Sequence, residues 1–463
     1  MSKTAGGTRR TYRSPLQVAR TALARGRSVG ADLEIYVQYA RTVNIKVFSR
    51  DVESMTVAEP RGLGVRAVRG GRTGYAFTAD LSNAGVDRAL GAAADNLRAA
   101  DVDPFVCLPE ASPCAYPDLQ GLWLPGVADT GLAAKTDMAL TAEAAALSIP
   151  EVGLVEESVY SDEEAHTAIA STMGIEAEAE ESLCFLYVTA HAARGSDRQS
   201  GLGFCAGRGP AALDPEQAGR EAAEKARALL GARPCATGSY TVVFDREVAA
   251  ALLASIAQAL SADAVQKGRS VFAGRLGQRV ASPLLTVFDD GLADGGMATN
   301  PFDGEGVPRQ TTALFEAGVL RSFLHSSYTA RKEGGDTRST GNAVRGSYRS
   351  VPGVGATNLV VRRDGGEPAD VIARVGRGLY VDSVAGLHSG INPISGEISV
   401  GATGRLIERG GLGMPVREVT IATDFARFLG SVCDLGADAR WIPLHGSVYT
   451  PSMVVDGITV SGA

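Results

Sequence analysis

Two alternating apolar runs constrain this chain most: Leu33, Ile35, Val37, Tyr39, then Val43, Ile45, Val47. A period of two buries one face of a strand and leaves the other free, so a sheet must start here. Arg61-Gly62-Leu63-Gly64-Val65-Arg66-Ala67-Val68 and Thr73-Gly74-Tyr75-Ala76-Phe77 continue it, with Gly70-Gly71 as a hairpin turn. Ser14-Pro15-Leu16-Gln17 opens an earlier helix. Ser14 can cap it, Pro15 suits its first position, Gln17 can reach back, and Gly26 or Gly30 stops it. Leu81 to Ala100 is Ala-rich and helical. Strands with a helix at each end make an α+β layer.

Five prolines between Pro104 and Pro125 predict an ordered coil or linker at about 104-128, because proline fixes φ and removes a donor. A helix follows, roughly Thr130 to Ala146, then strands through Val155–Tyr160, His166–Ser171 and Cys184–His191. Asp214 caps a helix ending near Gly231, and Asp245 caps another after the strand Tyr240-Thr241-Val242-Val243-Phe244. Beyond it the chain is Gly-rich and strand-rich, with turns such as Asp289-Asp290-Gly291 and Asp364-Gly365-Gly366. The expected organisation is a disordered tail (1-13), an N-terminal mixed sheet with helices (14-230), and a larger β-barrel-like domain (236-463).

With 463 residues, two or three packed units are the prior. A net charge of −7, with Arg interspersed among Asp and Glu, argues against a nucleic-acid footprint. No apolar run approaches the ~20 residues of a membrane span. Met1 to Arg13 is polar and basic and does not resemble a signal peptide. The cysteines (Cys107, Cys114, Cys184, Cys205, Cys235, Cys433) are scattered, none in C-x-x-C spacing, which predicts buried thiols in a reducing cytoplasm.

Few residues suggest chemistry. None of the 5 histidines pairs at i, i+4. Asp162-Glu163-Glu164-Ala165-His166 is the densest candidate for a metal: on a strand, Glu164 and His166 would share a face. A solvated acidic turn is the preferred alternative. Gly386-Leu387-His388-Ser389-Gly390 is not a nucleophile elbow, and Gly201-Leu202-Gly203-Phe204-Cys205-Ala206-Gly207 is not a dinucleotide fingerprint. In the helix after Asp245, Leu252, Leu253, Ile256 and Leu260 form an apolar stripe typical of a core helix.

Several motifs occurring in one order resemble the TldD/TldE (PmbA) family. They are the Arg61–Arg66 segment with Gly71-Arg72-Thr73-Gly74; Asn300-Pro301-Phe302-Asp303-Gly304-Glu305-Gly306-Val307-Pro308; Tyr328-Thr329-Ala330-Arg331-Lys332; and Ser339-Thr340-Gly341-Asn342-Ala343. Pro352, Thr357-Asn358, Gly378-Leu379-Tyr380-Val381 and Gly390-Ile391-Asn392-Pro393 with Ser395-Gly396-Glu397 follow. The TldD half of that family carries His-Glu-x-x-x-His on a helix and a later Cys ligand. Here those helix positions are Ala254, Ser255 and Ala259, and the late region reads Trp441-Ile442-Pro443-Leu444-His445-Gly446-Ser447, with no Cys after Cys433.

The resemblance therefore implies a TldE-type subunit without a catalytic centre, metal or cofactor of its own. It would pair with a zinc-bearing TldD-type metallopeptidase that cleaves unfolded or leader peptides, with a homodimer possible in isolation. The family's label "modulator of DNA gyrase" comes with it. Phe302, Asp303, Glu305, Tyr328, Arg331, Ser339, Thr340 and Asn342 are the expected peptide-lining or interface positions. Other functions consistent with the residues are a stand-alone hydrolase using Asp303, Glu305 or His445, and a non-catalytic peptide-binding module.

Overall fold

The computed structural model describes residues 14–362 and 371–462. The expected tail 1-13 and the turn Asp364-Gly365-Gly366 lie outside the described residues. Ser14 Oγ accepts from Gln17 N at 3.2 Å, and the helix Pro15–Arg25 starts behind it. The first sheet comprises β1 (Asp32–Phe48), β2 (Asp51–Ala58), β3 (Arg61–Arg69), β4 (Arg72–Thr78), β5 (Val152–Ser171), β6 (Glu176–Arg194) and β7 (Asp197–Gly207). Its order is β4-β3-β1-β5-β6-β7, with β2 also on β1.

The two alternating runs are one strand of 17 residues, not two. β5 pairs with β1 without a break from Glu34 to Val47, while on the other edge β1 changes partner from β3 to β2. The expected short strands at 155–160 and 166–171 likewise merge into β5. β2 had no periodic signal because all its positions are exposed. The acidic segment 162–166 is the middle of β5 rather than a turn. The cysteines are free, but only Cys184 and Cys235 are buried; Cys114 and Cys433 are exposed. Among the described residues no helix is long and apolar enough to cross a membrane.

The pleat sorts this sheet into two faces. Leu33, Ile35, Val37, Leu63, Val65 and Ala67 pack under the helices Pro15–Arg25 and Asn83–Ala99. Further along the same face, Val43, Ile45 and Val47 meet Ala139 of the helix Leu132–Leu147. The helix Pro215–Ala228, capped by Asp214 Oδ1 accepting from Gln217 N at 2.9 Å, covers Leu186, Val188 and Ala190. The opposite face carries Glu34, Tyr36, Gly62, Gly64 and Arg66, and the C-terminal half of the chain lies on it. A Cβ at Gly64 would fall 2.6 Å from Tyr348 O and 2.1 Å from the Tyr75 hydroxyl. The glycines in Arg61–Arg66 thus mark the close approach of another layer.

That half holds a two-stranded ribbon, Ala343–Val344 with Gly353–Val354, and two larger sheets around one helix. Gly238–Phe244, Arg377–Ala385, Glu397–Glu408, Gly411–Asp424 and Met453–Ser461 pair in sequence around a ring, and Gly411–Asp424 closes it on Met453–Ser461. This closed barrel removes exposed sheet edges. A six-stranded sheet runs Val319–Leu320, Thr311–Glu316, Thr286–Asp290, Asn358–Arg362, Ser447–Thr450, Arg440–Ile442. The helix Arg246–Ala259, capped by Asp245, lies in the core shared by barrel and sheet, with Leu252, Leu253 and Ile256 buried.

One ion pair of the first half is wholly buried. Lys135 Nζ meets Asp162 Oδ2 beneath the helix Leu132–Leu147, and Tyr160 donates to the same oxygen at 2.8 Å. Removing one charge leaves the other uncompensated in the core, which costs about 3–5 kcal/mol, whereas removing both together costs far less. Lys135→Met should therefore lower the unfolding free energy by about that amount, and Lys135→Met with Asp162→Leu should restore most of it. Denaturant melts of the single and double variants check this.

Candidate functional site

A cavity of about 830 Å³ opens beside the helix Arg246–Ala259. Ala254, Ala257 and Gln258 form the helical wall, and Ser261, Asp263, Ala264 and Arg269 continue it. Opposite lie Val344 and the extended segment 354–357, with Pro393, Ile394, His445 and Gly446 at the rim. The volume is within the usual range of ligand pockets, ~300–1,000 Å³.

The two helix positions of interest sit differently. Ala254 faces the cavity, whereas Ala259 is fully buried in the core. Ser255 Oγ donates to Ala251 O at 2.9 Å, back along its own helix. His445 reaches the cavity from a left-handed backbone conformation, φ 47°. Asp263 is held by Arg269 at 3.3 Å and by Lys267 at 2.8 Å. A catalytic zinc takes about three protein ligands. One imidazole and one carboxylate already paired twice do not fit that need. Among the described residues no group of three or more His, Cys, Asp or Glu is placed to hold a metal ion. His166 shares its face with Glu164 and pairs across to Glu178 at 2.9 Å and Glu180 at 3.2 Å.

None of the eight expected lining residues borders this cavity. Phe302, Asp303 and Glu305 are buried against the first sheet. Phe302 packs edge-to-face on Tyr116 (5.7 Å) and borders a smaller cleft of about 370 Å³. Glu305 Oε1 accepts from Arg66 Nη1 at 2.9 Å, and Glu34 accepts from Arg66 Nη2 (2.5 Å) and from Arg345. Tyr328 donates to Asp103 Oδ2 at 2.8 Å, tying its helix to the proline-rich segment, and Arg331 is exposed. Ser339 Oγ donates to His325 O at 3.2 Å. Thr340 donates to Asn342 Oδ1 at 2.6 Å, and Asn342 Nδ2 donates to Asp289 Oδ2 at 2.5 Å. Asp289 also accepts from Thr357 N at 2.6 Å. Thr340 and Asn342 thus lie behind the cavity wall and brace Thr357. Burial raises the Asp289 pKa, against the pull of these donors.

Sequence reasoning missed Arg309. It enters the cavity from the end of the loop that carries Asp303 and Glu305. Its stem runs against Gly291, where an added Cβ would lie 2.8 Å from the arginine's own. Nε donates to Phe302 O at 3.1 Å and Nη1 to Ala298 O, while Nη2 bonds nothing among the described residues. No carboxylate among them forms an ion pair with it; burial lowers its pKa, against the pull of the charges of Asp303, Glu181 and Asp289. No local pattern singles out an arginine after Pro308.

Three family models cover most of the chain: PmbA/TldA metallopeptidase domain 1 over residues 33–97, the central domain over 125–230, and the C-terminal domain over 237–462. The chain belongs to the PmbA/TldD family. It is 26% identical over 439 residues to a metalloprotease PmbA homolog of Haemophilus influenzae, covering 94% of this chain and 93% of the relative. It is 29% identical over 258 residues to a metalloprotease TldD homolog of the same organism, covering 52% of each. Among solved structures, a protein from Thermotoga maritima described as a modulator of a DNA gyrase matches with TM-score 0.87 and 28% identity, covering 96% of this chain and 99% of that one. TldE from Thermococcus kodakarensis shares the fold, with TM-score 0.88 and 21% identity, covering 96% and 100%.

The Asp303 carboxylate accepts from Glu305 N (2.8 Å), Val307 N (3.0 Å) and Ala343 N (3.0 Å), yet burial and the Glu305 charge push its pKa up to about 7. An unfolded Asp titrates near 4, so between about 4 and 7 the folded chain holds the extra proton. Stability from this group is then greatest at low pH and declines as pH rises through that window. The stability of the natural chain relative to Asp303→Asn should fall from pH 4 to pH 7 and level off above. Denaturant midpoints measured across pH check the sign.

Proposed function

We propose that this chain is the TldE-type, non-catalytic subunit of a cytoplasmic peptidase that processes unfolded or leader peptides with a zinc-bearing TldD-type partner. The observation that carries this reading is the helical cavity wall. It offers the methyls of Ala254 and Ala257 and the amide of Gln258, a set that can neither ligate zinc nor activate a water. The likeness to both a PmbA-type and a TldD-type protein of one organism supports two kinds of subunit working together. Like-for-like folds favour pseudo-two-fold pairing, which a homodimer of the isolated chain would mimic. A stand-alone hydrolase has less support: Asp303 and Glu305 are buried and hydrogen-bonded, and among the described residues His445 belongs to no group of three or more His, Cys, Asp or Glu that could hold a metal ion.

Elemental analysis and a peptidase assay test the proposal on the purified chain, on a TldD-type subunit, and on the two mixed. The chain alone should hold no stoichiometric zinc and cleave no unfolded peptide, and mixing should raise the partner's activity. About one metal ion per chain, lost on His445→Ala or His166→Ala, would overturn it.

A further inference from the structure

Arg309 is a cavity-lining charge that forms no ion pair among the described residues and leaves one donor unused. Its neighbours make this a built feature rather than a loose side chain. Two guanidinium nitrogens are anchored on the carbonyls of Phe302 and Ala298, the stem fills the space at Gly291, and Nη2 is left over. The other cavity charges do not offset it, since Asp263 is already neutralised by Lys267 and Arg269. Nη2 is open to the cavity, and a carboxylate is the acceptor whose geometry and charge suit it. Around it, the methyls of Ala254, Ala257, Ala298 and Ala356 and the side chains of Val344 and Val354 give a small apolar lining. Such a lining suits short side chains and excludes water from the ion pair.

We propose that the cavity binds a peptide carboxylate, with Arg309 Nη2 as its donor and small apolar residues of the peptide against the Ala254–Ala257 wall. It rests on the reading of this chain as a peptide-handling subunit and adds a selectivity to it: this chain would hold carboxylate-bearing segments. The carboxylate can come from a C-terminus or from an Asp or Glu side chain.

Fluorescence anisotropy with the full chain tests it, using N-terminally labelled hexapeptides of Ala, Val and Gly. One ends in a free acid, a second in an amide, and a third in an amide with one internal Glu. The free acid should bind about tenfold or more tighter than the plain amide, the factor expected of one charge-assisted hydrogen bond. Arg309→Gln should erase the difference, and Arg309→Lys should keep part of it. Ala254→Leu should weaken acid and amide alike by filling the cavity. The internal-Glu peptide matching the free acid would show that either source of carboxylate is accepted, whereas its matching the plain amide would assign recognition to C-termini. Equal binding of all three peptides by the natural chain, or binding of none, would overturn the inference whatever the variants do, and tighter binding of the internal-Glu peptide alone would assign recognition to side chains. The mixing assay is independent of this result, so a failed carboxylate preference leaves the subunit assignment standing, and a failed mixing assay removes it.

Discussion

The structure depends on a buried charge cluster between the first sheet and the C-terminal half. Glu34 and Arg66 face each other across β1 and β3, Arg66 reaches on to Glu305, and Arg345 returns to Glu34. Two carboxylates and two guanidinium groups balance. Such a cluster adds little net stability over apolar packing, but it penalises any misplacement severely, because a shifted register strands a buried charge. It fixes where the loop Asn300–Pro308 sits on the sheet. The flanking contacts follow from that placement: Phe302 against Tyr116, and Tyr348 over the space left by Gly62 and Gly64. Asp303 is the fifth charged group in this region and pairs with no cation, which is why burial drives it toward the neutral form.

The same loop has a second end. Asn300–Pro308 begins beside the cavity, dips to the sheet at Asp303 and Glu305, and returns through the Phe302–Pro308 bridge to deliver Arg309. The docking of the two halves and the position of the free guanidinium are therefore set by one short segment. A residue can be indispensable to a site while touching nothing that binds there. Thr340 and Asn342 act this way too, holding Asp289 and, through it, the Thr357 wall.

What the sequence disclosed was local. The caps at Ser14, Asp214 and Asp245 were legible because cap and first turn are adjacent in the chain. The buried face of β1 was legible because alternation is a short-range signal. Closure of the barrel by Gly411–Asp424 on Met453–Ser461 carries no local mark, nor does the partner change that makes β1 one strand. The motif residues around Phe302 and Asn342 were visible as a pattern. Whether they line a cavity or stand behind it depends on packing partners far away in sequence. Arg309 had no pattern at all, since what sets it apart is where its guanidinium ends up, anchored on two carbonyls and open to the cavity.

The helix Arg246–Ala259 shows how a scaffold can keep a cavity while its wall holds only methyls and an amide. Its core side is closely packed by Leu252, Leu253, Ile256 and Ala259, so it stays in place on hydrophobic contact alone and needs no metal to order it. Its cavity side carries Ala254 and Ala257, which withdraw bulk from the chamber and leave the volume open. An imidazole there without a ligand partner would be a half-buried polar ring with a desolvation cost; a methyl has none. Beyond this wall the chamber carries the paired Asp263 and Arg269 and, on the loop after Pro308, Arg309. On the proposed reading such a chamber would act as a receptor, with affinity from an ion pair to Arg309 and the fit of small side chains.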